Sequence, residues 1–281
     1  MRVIRAAEMG ICFGVRDALD VTDSVPDPTQ VTIHGELVHN PDVTTRLREA
    51  GFRHSPEDNR RPPARTPLVL ITAHGVSQAE RRRLSAAHEK VLDTTCPLVL
   101  RAHDAAVELQ AEDRHVLLIG TPGHVEVRGL VGDLDSYDVV ADPNAVRCYE
   151  RQRLGIVSQT TMPPDLVAAI CSRIQEHNPL ADIRVIDTVC QPTRLRLHAV
   201  LDLVPRVNAV VVVGGRNSNN TRRLLQLCHE HRTPALHVER TDELNPDWFD
   251  NVQTVGLTAG TSTLDETVDE VHRALEEMSA Y

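Results

Sequence analysis

Three cysteines stand apart in this 281-residue chain, because each lies in a phrase whose residue types suit chemistry. Cys12 sits in Met9-Gly10-Ile11-Cys12-Phe13-Gly14-Val15-Arg16. Cys96 and Cys190 close near-copies of one phrase, Leu92-Asp93-Thr94-Thr95-Cys96-Pro97 and Ile186-Asp187-Thr188-Val189-Cys190-Gln191-Pro192. The separations, 96 − 12 = 84 and 190 − 96 = 94 residues, are nearly even, and each is long enough for a small αβ unit. A locally closed metal site would use paired Cys-x-x-Cys ligands. One thiolate per unit instead predicts three units meeting at a common axis, with a soft metal centre there.

Three protein thiolates leave one iron of a four-iron cluster without a protein ligand. Such an iron can bind a substrate oxygen as a Lewis acid and can deliver electrons. Zinc is the main competing metal, but dispersed single cysteines do not match its paired spacing. Three thiols with no metal is the plainer alternative, and the repeated Asp-Thr-x-Cys phrase weighs against it. The other cysteines read as small buried hydrophobes: Cys148 in a predicted strand, Ala145–Tyr149, and Cys171 and Cys228 in predicted helices.

A second set of polar residues surrounds these phrases. His39, His74 and His124 each close a polar motif at the end of a predicted strand, and Ser218, Asn220 and Ser262 do likewise. Imidazoles with hydroxyl and amide donors suit a diphosphate. Glu126, two residues after His124, projects to the same side if that segment is extended, where a carboxyl can relay a proton to a departing hydroxyl. Thr160 and Thr161 either orient that hydroxyl or cap the helix that begins near Pro163. Asp93 and Asp187 are expected to hydrogen-bond the turns that aim the thiolates.

Positioning these residues is the task of an α/β framework. Apolar runs of strand length alternate with amphipathic stretches, and several runs end in polar or glycine-bearing turns: Leu68–Thr72, Val116–Gly120, Gly155–Val157, Val210–Gly214 and Val255–Leu257. Helices are predicted over Gln78–Glu89, Asn220–His231 and Leu264–Met278. Ligands of parallel sheets bind beyond the carboxyl ends of the strands, so every polar cluster falls where it can line a cavity. The division expected is three αβ units, 13–95, 96–189 and 190–265, with 1–12 and 266–281 as terminal segments packing on them. His54–Pro67 reads as a proline-rich surface loop, and His54, His88 and His103 as surface or capping residues.

Composition narrows the function. A formal charge of −10 and seven aromatics argue against a nucleic-acid binder with a basic face and stacking platforms. No run approaches the length of a membrane span and no signal-peptide core is present, which predicts a cytoplasmic protein that is not membrane-bound. Six cysteines in such a chain do not read as a disulfide framework.

Together these phrases resemble the 4-hydroxy-3-methylbut-2-enyl diphosphate reductase family, the IspH/LytB type. The matching stretches, in the family's order, are Gly10–Arg16, His34–Asn40, Ala73–Val76, Asp93–Val99, Gly123–Glu126, Gln159–Thr161, Asp187–Cys190, Asn217–Asn220 and Leu257–Ser262. The resemblance implies a trefoil of three pseudo-repeated αβ units around one 4Fe–4S cluster per chain, held by Cys12, Cys96 and Cys190. It implies reductive removal of the allylic hydroxyl of 4-hydroxy-3-methylbut-2-enyl diphosphate, giving isopentenyl and dimethylallyl diphosphate in the last step of the non-mevalonate isoprenoid pathway. By motif position, His39, His74, His124, Thr160, Ser218, Asn219, Asn220 and Ser262 bind substrate. Glu126, His124 and Thr160 face the reacting hydroxyl, with Glu126 central to proton delivery. A ferredoxin or flavodoxin-type protein supplies the electrons. The chain departs from the family pattern at Asn219, where a second serine is usual, at Gln191 after the third cysteine, and at Leu197. A paralogue acting on another allylic diphosphate, or a non-catalytic iron–sulfur sensor, are the alternatives.

Overall fold

The computed structural model describes residues 1–60 and 66–278, so Arg61–Arg65 of the proline-rich loop lie outside the described residues. In chain order the elements are β1 (Arg2–Arg5), α1 (Phe13–Asp23), β2 (Val31–Ile33), α2 (Pro41–Glu49), β3 (Arg53–His54), β4 (Leu68–Ile71), α3 (Gln78–Ala87), β5 (Lys90–Asp93) and α4 (Pro97–Ala111). There follow β6 (His115–Ile119), α5 (Val125–Val131), β7 (Tyr137–Val140), β8 (Arg153–Ser158), α6 (Pro164–His177), β9 (Asp182–Val185) and α7 (Gln191–Leu203). The chain ends with β10 (Ala209–Val213), α8 (Asn219–Glu230), β11 (Ala235–Val238), β12 (Thr254–Ala259) and α9 (Asp265–Met278).

The strands form three four-stranded sheets, ordered β3-β2-β4-β5, β7-β6-β8-β9 and β11-β10-β12-β1, and all their pairings are parallel. Each repeats one order, second-first-third-fourth. In the third sheet the fourth place is taken by β1, from the start of the chain, so the N-terminal segment is a sheet edge. The three fourth strands read Arg-Val-Ile-Arg, Lys-Val-Leu-Asp and Asp-Ile-Arg-Val, each exposed at both ends and half-buried in the middle. The charged ends of the first two, and Asp182 at the start of the third, oppose pairing with another chain. Of the inner strands, Leu68–Ile71 and Ala209–Val213 are apolar throughout, as suits a parallel sheet covered on both faces.

Contacts divide the chain into two compact units, one of Met1–Val15, His39–Asp42 and Gln191–Tyr281, the other of Arg16–Val38 and Val43–Cys190. In the first unit, alternate residues of β10 pack to opposite sides. Val211 and Val213 join Val268, Val271 and Leu275 of α9, whereas Val210 and Val212 join Val200 of α7 and Leu224 and Leu227 of α8. In the second unit, Val116 and Leu118 pack with Ala102, Leu109 and Leu130, while Leu117 and Ile119 pack with Ile170 and Ile174.

The second unit holds two sheets, and Asp133 joins them. Its carboxylate accepts the Ala79 amide at 3.1 Å and the Gln78 amide at the start of α3, and meets His103 Nε2 at 2.9 Å. His103 is therefore a buried partner, not a surface residue. Burial alone would raise the Asp133 carboxyl, but the two amides and the ring together hold it below the usual carboxylate value of 3.8. A group lowered in the folded state contributes stability above its unfolded pKa and loses it as pH falls through the folded one. Asp133→Asn is expected to cost about 1–3 kcal/mol at neutral pH, with the difference from the parent shrinking below pH 4. Urea unfolding at pH 7 and pH 3 checks this; an equal cost at both would remove the charge from the explanation.

The helix over 78–89 ends at Ala87, where His88 Nδ1 meets the Leu84 carbonyl at 3.0 Å, and the other two predicted helices stand within a residue of expectation. The predicted strand Ala145–Tyr149 does not form. Asp142 caps a short turn at Pro143, and the Tyr149 amide donates to Asn178 Oδ1 at 2.9 Å instead of to a ladder. Cys148 is exposed there, which corrects its reading as a buried hydrophobe.

Candidate functional site

Each of the three singled-out cysteines follows a fourth strand and immediately precedes a helix: Cys12 before α1, Cys96 before α4, Cys190 before α7. Each is pinned by the same bond. The Cys12 amide donates to Thr261 O at 3.0 Å, that of Cys96 to Ala73 O at 3.1 Å, and that of Cys190 to Thr160 O at 2.8 Å. The acceptor in every case lies just beyond the third strand of the same sheet. Asp93 Oδ1 accepts the Thr95 amide at 3.0 Å and its hydroxyl at 2.6 Å, and Asp187 Oδ1 accepts the Val189 amide at 3.2 Å. The threonines of the repeated phrase add a second brace. Thr94 Oγ1 donates to Ile71 O at 2.7 Å and Thr188 Oγ1 to Ser158 O at 2.6 Å. The two acids thus hold the turns before the thiols, as their spacing predicts.

These three sulfurs suit soft-metal ligation. All are partly exposed, and none of the six cysteines is in a disulfide. Burial pushes up the thiols of half-buried Cys171 and buried Cys228, that of Cys228 to about 11, which suits packing. Among the described residues no group of three or more His, Cys, Asp and Glu side chains is placed to hold a metal ion. The fit to a cluster therefore rests on donor chemistry and on the repeated pinning of each sulfur-bearing residue.

In the second unit, His124, Glu126, Thr160 and Cys190 form one connected run. His124 caps α5, its Nδ1 accepting the Glu126 amide at 3.1 Å. Glu126 therefore stands in the first turn of a helix, not two places along an extended segment. A helical turn withdraws the carboxyl from solvent (2% exposed) and aims Oε1 at the Thr160 amide, 2.6 Å away. Thr160, buried too, accepts the Cys190 amide through its carbonyl. The His74 and His124 rings meet edge to face with centroids 5.9 Å apart. Neither Thr160 nor Thr161 caps α6, whose N-cap is Pro163 without a side-chain bond. Gln159, fully buried, fixes the same corner by accepting the Thr121 amide at 3.1 Å and donating to Thr161 Oγ1 at 3.1 Å. In the sequence only its place in the strand-end phrase Gln159–Thr161 marks it.

In the first unit, Ser218 caps α8 by accepting the Thr221 amide at 3.3 Å. Asn220 Oδ1 accepts the Thr261 amide at 3.2 Å, while its Nδ2 is buried with no hydrogen-bond partner among the described residues. Ser262 Oγ donates to His39 O at 3.0 Å, and Asn40 Nδ2 donates to Ser262 O at 2.7 Å. His39, Ser218, Asn220 and Ser262 thus gather at the first and last turns of neighbouring elements, with one buried donor unused. Asn219 turns its side-chain oxygen to Arg222.

The departures from the family pattern find local explanations. Leu197 is buried among Val200, Val204 and Leu224, so its apolar side chain serves the core. Gln191 is the exposed first residue of α7. His34, at the head of the phrase that ends in His39 and Asn40, is buried with Nε2 2.9 Å from Glu80. Burial, then the Arg60 charge, pushes it down to about 4, so it is neutral at pH 7.

Fold and site define an α/β protein in which repeated parallel sheets present single cysteines at helix starts beside anion-suited strand ends. The chain matches the LytB protein family over residues 3–276 and belongs to it. It is 31% identical to the 4-hydroxy-3-methylbut-2-enyl diphosphate reductase of Aquifex aeolicus, covering 98% of this chain and 96% of that one. The protein of the same name from Vibrio cholerae is 32% identical, with 100% and 92% covered. Among solved structures, the (E)-4-hydroxy-3-methyl-but-2-enyl diphosphate reductase described as the terminal enzyme of the non-mevalonate pathway is similar at TM-score 0.71 and 32% identity, over 99% of this chain and 100% of that one. The E-1-hydroxy-2-methyl-but-2-enyl-4-diphosphate reductase from Plasmodium falciparum shares the fold at TM-score 0.87 and 24% identity, over 98% and 87%. Among the described residues no helix is long and apolar enough to cross a membrane.

Proposed function

We propose that this chain is a 4-hydroxy-3-methylbut-2-enyl diphosphate reductase, carrying one 4Fe–4S cluster on Cys12, Cys96 and Cys190. The observation that carries the reading is the threefold recurrence of a cysteine pinned at the same place in three like sheets, in a member of the LytB family. The reaction consumes two electrons and two protons, breaks the allylic C–O bond and releases water with isopentenyl or dimethylallyl diphosphate. When bound on these cysteines, the cluster would supply the electrons and the Lewis acidity.

The chain's own residues do the rest. His39, His74, Ser218, Asn219, Asn220 and Ser262 hold the diphosphate; the unused Asn220 Nδ2 and the first-turn amides of α8 supply donors at the positive end of a helix dipole. His124 and Thr160 orient the hydroxyl, and Glu126 delivers the proton that lets it leave as water. The Glu126 carboxylate is withdrawn from bulk solvent and fixed by the Thr160 amide, which suits it to move a proton along one path. A ferredoxin or flavodoxin-type protein is the electron donor in this reading. The location is cytoplasmic, where thiolates stay reduced and a cluster can be assembled. The division into αβ units 13–95, 96–189 and 190–265 belongs to the same proposal.

Anaerobic turnover of 4-hydroxy-3-methylbut-2-enyl diphosphate by the cluster-loaded protein, followed by oxidation of a reduced viologen, tests it. Formation of the two five-carbon diphosphates is expected. A loaded protein inert toward this substrate but active on another allylic diphosphate would replace the reading with that of a paralogue.

A further inference from the structure

Arg196 lies on α7 and is only 4% exposed. Its guanidinium is turned onto main-chain carbonyls, all within the first unit. Nη2 donates to Gly10 O at 2.6 Å and to Ile11 O at 3.3 Å, Nε to Gly10 O at 3.2 Å, and Nη1 to Pro192 O at 3.1 Å. Gly10 and Ile11 are the two residues immediately before Cys12. Gly10 adopts φ +71°, and a Cβ there would stand 3.0 Å from Asp265 Oδ1. Glycine thus permits a left-handed turn whose carbonyl faces the arginine.

The contrast with the other two cysteines gives this contact its meaning. Cys96 and Cys190 are braced from within, by the Asp and Thr of their own phrases. Met9-Gly10-Ile11 has no such side chain, and β1 comes from the far end of the sequence to complete its sheet. The missing brace is supplied by a planar fork on α7, the helix that begins at the third cysteine. A buried cation is tolerated only when its donors are filled, and a guanidinium fills two carbonyls at once where an ammonium holds a single point.

We infer that Arg196 is a positioning residue for the Cys12 thiolate. It holds the preceding turn in register for the metal and places a fixed positive charge on that limb of an anionic cluster. The inference rests on the cluster reading proposed above.

The test compares the wild-type chain with Arg196→Gln and Arg196→Lys after anaerobic cluster reconstitution. Iron content, the rate of iron release to a chelator and the cluster midpoint potential are measured, with the apoprotein melting temperature alongside. Residues that orient a metal's ligands are worth about 10–100-fold in metal retention, so Arg196→Gln is expected to release iron faster by that factor. Its midpoint is expected at lower potential, because a cation beside the cluster favours the added electron. Arg196→Lys is expected to release iron faster while keeping a potential close to that of the parent. Wild-type release from Arg196→Gln overturns the inference, as does faster release at an unchanged potential, the outcome of a purely structural brace. If Arg196→Gln fails to fold, wild-type release from Arg196→Lys overturns it. A wild-type chain that takes up no four-iron cluster would instead overturn the cluster reading, which separates the two failures.

Discussion

Cys96→Ser is expected to yield a folded protein that holds no complete four-iron cluster and turns over no substrate. The fold should survive because what pins residue 96 is its backbone: the amide bonds Ala73 O, and the turn is braced by Asp93 and Thr94. The sulfur contributes no cap to α4, so its removal leaves the helix start intact. What is lost is ligation, since a hard alkoxide is a poor substitute for a soft thiolate toward iron. Iron and sulfide analysis with the visible spectrum of the reconstituted variant checks this, and Cys171→Ala serves as the control. Cys171 lies on α6, half-buried against the core and with its thiol pushed up by burial, so its replacement should keep the cluster and disturb packing only. A full cluster in Cys96→Ser would remove that residue from the ligand set.

The second large effect is expected at Glu126. Glu126→Gln should lower kcat by about 10²–10⁴-fold, the usual span for a positioned proton donor, with KM and cluster content little changed. Glutamine retains a carbonyl in the place of Oε1, so the bond from the Thr160 amide can persist. The stability change is expected to be about 1 kcal/mol, the difference between a charged and a neutral acceptor. The substitution thus removes the group able to take up and pass on a proton, with its charge, while the hydrogen bond stays in place. Single-turnover reduction of substrate by the pre-reduced, cluster-loaded variant separates chemistry from electron supply. A wild-type rate there would take Glu126 out of the proton path and favour a chain that only senses through its cluster.

Much of this was written in the sequence because the proposed chemistry rests on residue types that few folds spend idly. Cys12, Cys96 and Cys190, the two Asp-Thr-x-Cys phrases and the polar ends of apolar runs marked the repeat. Period and run length were enough for three αβ sheets, since buried parallel strands such as Ala209–Val213 are apolar end to end.

Tertiary structure decided what periodicity does not encode. That β1 completes the third sheet is a pairing between the two ends of the chain, and a four-residue edge strand carries no signal for its partner. That Glu126 sits in a helix turned on Thr160 follows from His124 accepting its amide, a local bond that competes with an extended segment of the same composition. Cys148 fell outside any strand because Asn178, 30 residues later, took the Tyr149 amide. Arg196 reads from sequence as one more helix arginine, and only the arrival of Gly10 and Ile11 beside it makes it a brace. The sequence by itself determined which residues the proposed chemistry rests on, because soft thiolates and anion donors have few substitutes. Only the folded chain decided what holds them, because those bonds join segments far apart in sequence.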